Sequence, residues 1–253
     1  MSEVNRSGRL GNSITRNIAG SIIAKKYNLK ITYVDYELIS KIGIPLFSGI
    51  EIYKNTKVIN DNNYFKILNS NSINFNINIE SYCQTKEITD QTHKYLNSDK
   101  NIEYFVNNNK YKDRYKNNND CFIHIRLGDV EKWNPGFKYY DFVLSKIKYD
   151  NIFIATDSNN HNIIKEIQNK YKNVNIFDNN LINIFQFAST CRFVILSYGT
   201  FSAIIGYISF YSTVYYLKFC KKVAWDWDEK DECDMFRNKT TKIGKWIEID
   251  IYE

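Results

Sequence analysis

Cys121-Phe122-Ile123-His124-Ile125-Arg126-Leu127-Gly128-Asp129 is a short apolar strand that runs directly into a basic residue, a glycine and an acid. The same order recurs downstream. An apolar run at 151–155 precedes Thr156-Asp157-Ser158, and another at 193–196 precedes Ser197-Tyr198-Gly199-Thr200-Phe201-Ser202. Further strands are predicted at 174–177 and 213–217. Helical spacing covers 140–147, 160–171, 181–189 and a stretch from about Phe201. Strands alternating with helices through short connections predict a parallel sheet with covering helices. Ligands of such sheets sit beyond the carboxyl ends of the strands, so the three polar clusters mark where a site belongs.

The clusters share one chemistry. Arg126 offers a planar, permanently charged fork for a phosphate. The Ser197, Thr200 and Ser202 hydroxyls, with backbone N–H groups at a helix start, can hold the same anion. A carboxylate such as Asp157 suits a ribose or a base edge. Together they describe a nucleotide-diphosphate site. Taken singly, each has a plainer reading: His124 as a strand-end histidine, Arg126 and Asp129 as a local ion pair, Asp157, Thr200 and Ser202 as turn or helix caps. Their coincidence at successive strand ends is what points to a site.

Outward from this core the chain is less regular. Gly8-Arg9-Leu10-Gly11-Asn12 leads into a helical pattern over 13–26, with Asn12 or Ser13 as the predicted cap, and 29–34 reads as a short strand. The alternation Ile73, Phe75, Ile77, Ile79 predicts a half-exposed strand, and 87–106 is loosely helical. The stretch 107–119 is almost devoid of apolar residues apart from two tyrosines, and is read as a linker or long surface loop. It divides the chain into an N-terminal α/β domain, 1–115, and a C-terminal α/β domain, 120–253.

Composition narrows the class. The 253 residues are 43% hydrophobic and 25% charged, ordinary globular values that exclude wholesale disorder. No apolar run approaches the roughly 20 residues of a membrane span. The 33 Asn and 36 Ile, against 2 Pro, reflect AT-rich codons and are read as a genome signature of a viral or parasitic kind. Five scattered cysteines without a CxxC pair argue against a zinc site and a disulfide framework. The start lacks a signal-peptide core, and the sequons at Asn5 and Asn238 are short enough to arise by chance. A soluble, reduced, cytoplasmic protein is expected. The net charge of +6 suits an anionic ligand.

The residues 124–129, HIRLGD, resemble the H-x-R-R-G-D motif of the GDP-fucose-dependent α-1,2-fucosyltransferases and their relatives. Gly8-Arg9-Leu10-Gly11-Asn12 resembles the N-terminal G-G-L-G-N of that superfamily. Ile154-Ala155-Thr156-Asp157, 197–202 and Lys245-Trp246-Ile247 resemble later pieces, all in the family's order and spread over most of the chain. The resemblance implies a GT-B-like α/β fold, two Rossmann-type domains with a cleft between them. It implies an inverting glycosyltransferase that moves fucose from GDP-fucose to a hydroxyl of a glycan acceptor, without a metal or other cofactor. By position, Arg126 would meet the β-phosphate, and His124 and Asp129 would shape the catalytic pocket. Gly128, Asp157, Ser197, Thr200, Phe201 and Ser202 would hold the donor, and Gly11 and Asn12 would lie on the acceptor side of the cleft.

Two departures bear on this. Leu127 stands where many members carry a second arginine, and Tyr198 and Gly199 alter the S-x-S-T-F-S pattern. A transferase using another nucleotide sugar, or a non-catalytic nucleotide-sugar or glycan-binding protein, are the rival readings. Asp226-Trp227-Asp228 imitates a metal-binding DxD but lies in an acidic run, 226–234, read as a solvated loop. His93 and His161 have no metal-ligand partners at useful spacing. The Tyr-Lys interleaving at 111–116 carries no nucleic-acid motif, and no nucleic-acid partner is expected.

Overall fold

The computed structural model describes residues 1–5, 8–218, 235–237 and 239–251. The acidic run 226–234 with its Asp226-Trp227-Asp228, Cys220, Cys233 and Asn238 lie outside the described residues.

The chain forms two α/β units. The first, Met1–Phe105, contains β1 (Ser2–Val4), α1 (Leu10–Tyr27), β2 (Ile31–Thr32), α2 (Tyr36–Ile42), β3 (Thr56–Ile59), α3 (Tyr64–Leu68), β4 (Asn76–Ile79), α4 (Lys86–Leu96) and the start of α5 (Asp99–Asn107). Its four strands form a parallel sheet in the order β2-β1-β4-β3. The core of this unit gathers Val4, Ile23, Ile31, Ile59, Ile77 and Ile79 under α1 and α3.

The second unit carries β5 (Cys121–Ile125), α6 (Phe137–Leu144), β6 (Ile152–Thr156), α7 (Asn162–Lys170), β7 (Val174–Ile176), α8 (Leu181–Ala188), β8 (Phe193–Ile195), α9 (Thr200–Ile208), β9 (Thr213–Leu217) and β10 (Trp246–Ile249). All six strands are parallel, in the order β10-β9-β8-β5-β6-β7. Counted from β5 as the first strand, this is the 3-2-1-4-5-6 order of doubly wound nucleotide-binding sheets, read from the β7 edge. The order reverses between β5 and β8. Crevices for ligands open at such a reversal, beyond the carboxyl ends of the two strands.

Both faces of the sheet are covered, which is why β5 is apolar at every position but His124. Cys121, Ile123 and Ile125 pack with Tyr139, Tyr140, Val143, Ile164 and Ile167 of α6 and α7. Phe122 and His124, on the opposite face by the two-residue period, meet aromatic residues of α8 and α9. Phe122 lies 6.4 Å from Phe187, and His124 lies 5.0 Å from Phe201, between ring centroids. At β10, α9 comes so close that a Cβ on Gly206 would stand 2.6 Å from the Trp246 ring, so only glycine fits there.

The α/β class with parallel sheets is therefore observed, and β5 and β9 match the predicted residues. Three expectations are corrected. Helix α1 begins at Leu10 after Arg9 with no side-chain cap, so neither Asn12 nor Ser13 caps it. The strand expected to be half-exposed, β4, lies inside the sheet, and Asn76 is buried. The Asn76 amide takes the place of a backbone partner: Nδ2 donates to the Tyr53 carbonyl at 2.6 Å and Oδ1 accepts the Tyr53 N–H at 3.1 Å. The stretch 107–119 does not hang free as a linker. Asn109 is buried and donates to the Gln186 carbonyl at 2.8 Å, and Arg114 pairs with Asp120 at 2.6 Å. Polar side chains that satisfy buried backbone explain how so hydrophilic a segment is built into the unit.

Candidate functional site

Arg126 is the first residue after β5, and Ser197 follows β8 by two residues, so both stand at the reversal of the C-terminal sheet. The Arg126 N–H donates to Ser197 Oγ at 3.0 Å. Ser197 Oγ lies 3.3 Å from Ser202 Oγ on the first turn of α9, and Ser202 Oγ lies 2.5 Å from His124 Nδ1. A continuous polar chain thus joins the two strand ends beneath the loop.

His124 is buried, beside the Phe201 ring. Burial pushes its imidazole down to about 4; the Asp157 carboxylate opposes that and Arg126 adds to it. The ring is therefore neutral at physiological pH, a hydrogen-bonding group rather than a cation.

The Arg126 side chain is held at two nitrogens. Nη1 pairs with Asp157 Oδ2 and Nη2 with Asp129 Oδ1. Asp157, at the end of β6, also accepts the Leu127 N–H at its Oδ1, at 2.9 Å. Gly128 makes this approach possible. Its φ is +35°, and a Cβ there would stand 2.6 Å from Asp157 Oδ2. Asp129 belongs to the 3₁₀ turn Gly128–Trp133 and is the most exposed of the three, at 57% against 31% for Asp157 and 19% for Arg126.

Helix α9 starts at Thr200 after Gly199, whose φ is +100°. Gly199, at the N-cap position, supplies no side-chain cap, and the first turn carries no acid; helix starts are places where anions bind. The structure thus brings His124, Arg126, Gly128, Asp129, Asp157, Ser197, Thr200, Phe201 and Ser202 to one region at the sheet reversal. Gly11 and Asn12 lie in the N-terminal unit, on the first turn of α1, where Asn12 Oδ1 accepts from Gln84 Nε2 at 2.9 Å.

Two contributors were missed in the sequence. Asn134 Nδ2 donates to the Arg126 carbonyl at 2.8 Å and to the Tyr140 hydroxyl at 3.2 Å, while its Oδ1 accepts the Gly136 N–H at 2.9 Å. Arg126 is therefore fixed at its N–H by Ser197 and at its carbonyl by Asn134. The signal was present: Asn134-Pro135-Gly136 is a strong turn sequence in a chain with 2 prolines. Glu131 is the other. It bonds His161 Nε2 at 2.8 Å, and His161 Nδ1 accepts the Ile163 N–H, so the 3₁₀ turn is tied to the start of α7. His161, considered in the sequence only as a metal ligand, caps a helix. Among the described residues no group of three or more His, Cys, Asp or Glu is placed to hold a metal ion, and no helix is long and apolar enough to cross a membrane.

No protein-family model and no curated protein sequence matches the chain. Among solved structures, it is similar to the E. coli heptosyltransferase WaaC with ADP, at 10% identity and a TM-score of 0.44, covering 98% of this chain and 92% of that one. It is also similar to S. aureus MnaA in its co-structure with UDP, at 8% identity and a TM-score of 0.40, covering 88% and 80%. At TM-scores below 0.5 neither likeness carries an argument. The α/β assignment rests on the strand orders of the chain itself.

Proposed function

We propose that the chain is an inverting glycosyltransferase of the GT-B kind that moves fucose from GDP-fucose to a hydroxyl of a glycan acceptor. The observation that carries this reading is the meeting of the 124–129 and 197–202 segments at the reversal of a doubly wound sheet, through the Arg126 to Ser197 hydrogen bond. Arg126 and Ser197 lie 71 residues apart in the chain. The two segments are the same two that resemble the fucosyltransferase motifs.

In this reading Arg126 meets the β-phosphate, and the start of α9, which carries no acid in its first turn, faces the same diphosphate. The acceptor hydroxyl attacks the anomeric carbon as GDP leaves, so negative charge grows on the β-phosphate in the transition state. A preorganised donor at that point is worth roughly 10²–10³ in rate. His124, neutral and buried, positions Ser202 and Ser197 under Arg126. Asp157 fixes the guanidinium and the loop.

Calorimetric titration with GDP-fucose, GDP-mannose, ADP and UDP-sugars tests the proposal. Saturable binding confined to the guanosine donors is expected, and no binding of GDP-fucose at millimolar concentration would overturn it. A second reading, a transferase for another nucleotide sugar, is favoured by Leu127. This side chain is buried at 1% exposure and gives no second cationic fork. The same titration separates the two readings by the donor that binds most tightly.

A further inference from the structure

We propose that Asn134 and Tyr140 are positioning residues for Arg126: their hydrogen-bonded pair holds the Arg126 carbonyl and so sets the direction in which the guanidinium meets an anion. This rests on the reading that Arg126 meets a diphosphate.

Arg126 stands just beyond β5, where a backbone leaving the sheet would ordinarily lose its fixed course. It is held on both sides of its Cα instead. Its N–H donates to Ser197 Oγ at 3.0 Å, and its carbonyl accepts from Asn134 Nδ2 at 2.8 Å. These groups belong to the two peptide units that flank the residue. Holding both fixes φ and ψ, and with them the line along which the side chain departs.

Asn134 makes its contact in one sense only. Its Oδ1 accepts the Gly136 N–H at 2.9 Å, closing a turn across Pro135. Nδ2 then faces the Arg126 carbonyl and the Tyr140 hydroxyl, the latter at 3.2 Å. Tyr140 is fully buried on α6, and burial pushes its phenol up, so the hydroxyl keeps its proton. Helix α6 is also pinned to the other side of the clamp. The Tyr139 hydroxyl is shared between the Leu196 and Tyr215 carbonyls, at 3.0 and 3.1 Å, and Leu196 immediately precedes Ser197. Two adjacent tyrosines thus tie the segment that holds the Arg126 N–H to the amide that holds its carbonyl. Asn134 and Tyr140 act on the Arg126 backbone, and their effect on an anion passes through it.

The plainer role of the 134–136 segment is to turn the chain into α6, and calorimetric titration of the full chain with inorganic pyrophosphate and with GDP separates the two. Asn134→Asp keeps the size and the acceptor for the Gly136 N–H, and sets an oxygen where the donor faced the Arg126 carbonyl. Tyr140→Phe keeps the turn, the charge and nearly all the volume, and removes the hydroxyl that holds the amide. Both variants are expected to bind pyrophosphate about threefold to tenfold more weakly than the wild type, the size of one hydrogen bond. A pair that served the fold alone would lower the melting temperature and leave the affinity of the folded protein unchanged. Wild-type pyrophosphate affinity in either variant would therefore overturn the proposal, and Tyr140→Phe decides the matter if Asn134→Asp does not fold. A wild type that binds no pyrophosphate would overturn it as well. If pyrophosphate follows the expected order while GDP and other nucleotides do not bind, the positioning role stands and the transferase reading fails. If GDP and pyrophosphate each bind all three proteins equally, the anion site stands and the positioning role fails.

Discussion

Ser197 Oγ accepts the backbone N–H of Arg126 at 3.0 Å, joining the ends of the two strands between which the C-terminal sheet reverses its order. The bond sets where the arginine leaves the sheet. Ser197→Ala removes the acceptor and leaves a part-buried N–H without its partner, at a cost of about 1–3 kcal/mol. Urea unfolding is expected to show that loss, and GDP affinity is expected to fall several-fold as Arg126 loses its fixed position. Unchanged affinity would mean that Asn134 and Asp157 suffice to place it.

Gly128 tests the loop from the other side. Gly128→Ala forces an L side chain into φ +35° and sets a Cβ 2.6 Å from Asp157 Oδ2. Strain of this kind costs about 1–3 kcal/mol. The nearest relief moves Asp157 off Arg126. A fall of about tenfold in GDP affinity is expected by calorimetry, and wild-type affinity would show that Asp157 does not govern the guanidinium.

His124 makes stability depend on pH. Its folded value lies near 4, below the 6.5 of an ordinary histidine, because burial disfavours the cation. The unfolded chain then binds the proton more readily than the folded one. Stability from this residue is fully present above about pH 6.5 and is lost as pH falls toward 4, by up to about 3 kcal/mol. Thermal melts between pH 4 and 7 are expected to show a shallower pH dependence in His124→Gln than in the wild type. Parallel curves would contradict the neutral, buried assignment.

Arg16 is a separate case, in the N-terminal unit. Its side chain is 1% exposed, Nη2 donates to the Ile79 carbonyl at 2.7 Å, and Nε and Nη1 find no hydrogen-bond partner among the described residues. Burial lowers its pKa, as expected for a cation enclosed without a full set of partners. Arg16→Met keeps the volume and removes the charge, and the Ile79 carbonyl still accepts the Asn5 N–H. The substitution is expected to leave stability unchanged or raise it by about 1–2 kcal/mol in urea unfolding. A loss above about 3 kcal/mol would show that the charge is compensated.

The C-terminal unit was more legible in the sequence than the N-terminal one, for a physical reason. Strand β5 is buried on both faces, so its residues are apolar apart from His124 and its end is marked by Arg126. The candidate site was legible because polar residues cluster where those strands stop. In the N-terminal unit β1 has three residues and β3 is an edge strand with three of its four residues exposed, so neither carries a strong pattern. Helix α1 is enclosed on nearly every side, and Arg16, Asn17 and Ser21 are buried because they serve backbone and hydroxyl partners. Periodicity cannot foresee that. Nor could it find Asn134, whose role depends on a carbonyl eight residues earlier in the chain.

The most direct measurement is a calorimetric titration of GDP into the wild-type chain, Arg126→Ala and Arg126→Lys. Saturable binding is expected in the wild type, with affinity at least about a hundredfold lower in Arg126→Ala, an arginine fork on a phosphate being a strong charge-assisted contact. Arg126→Lys is expected to recover only part of the loss, since a lysine offers a point charge without the fork. Equal GDP affinity in all three proteins, with all three folded, would contradict the assignment of this site.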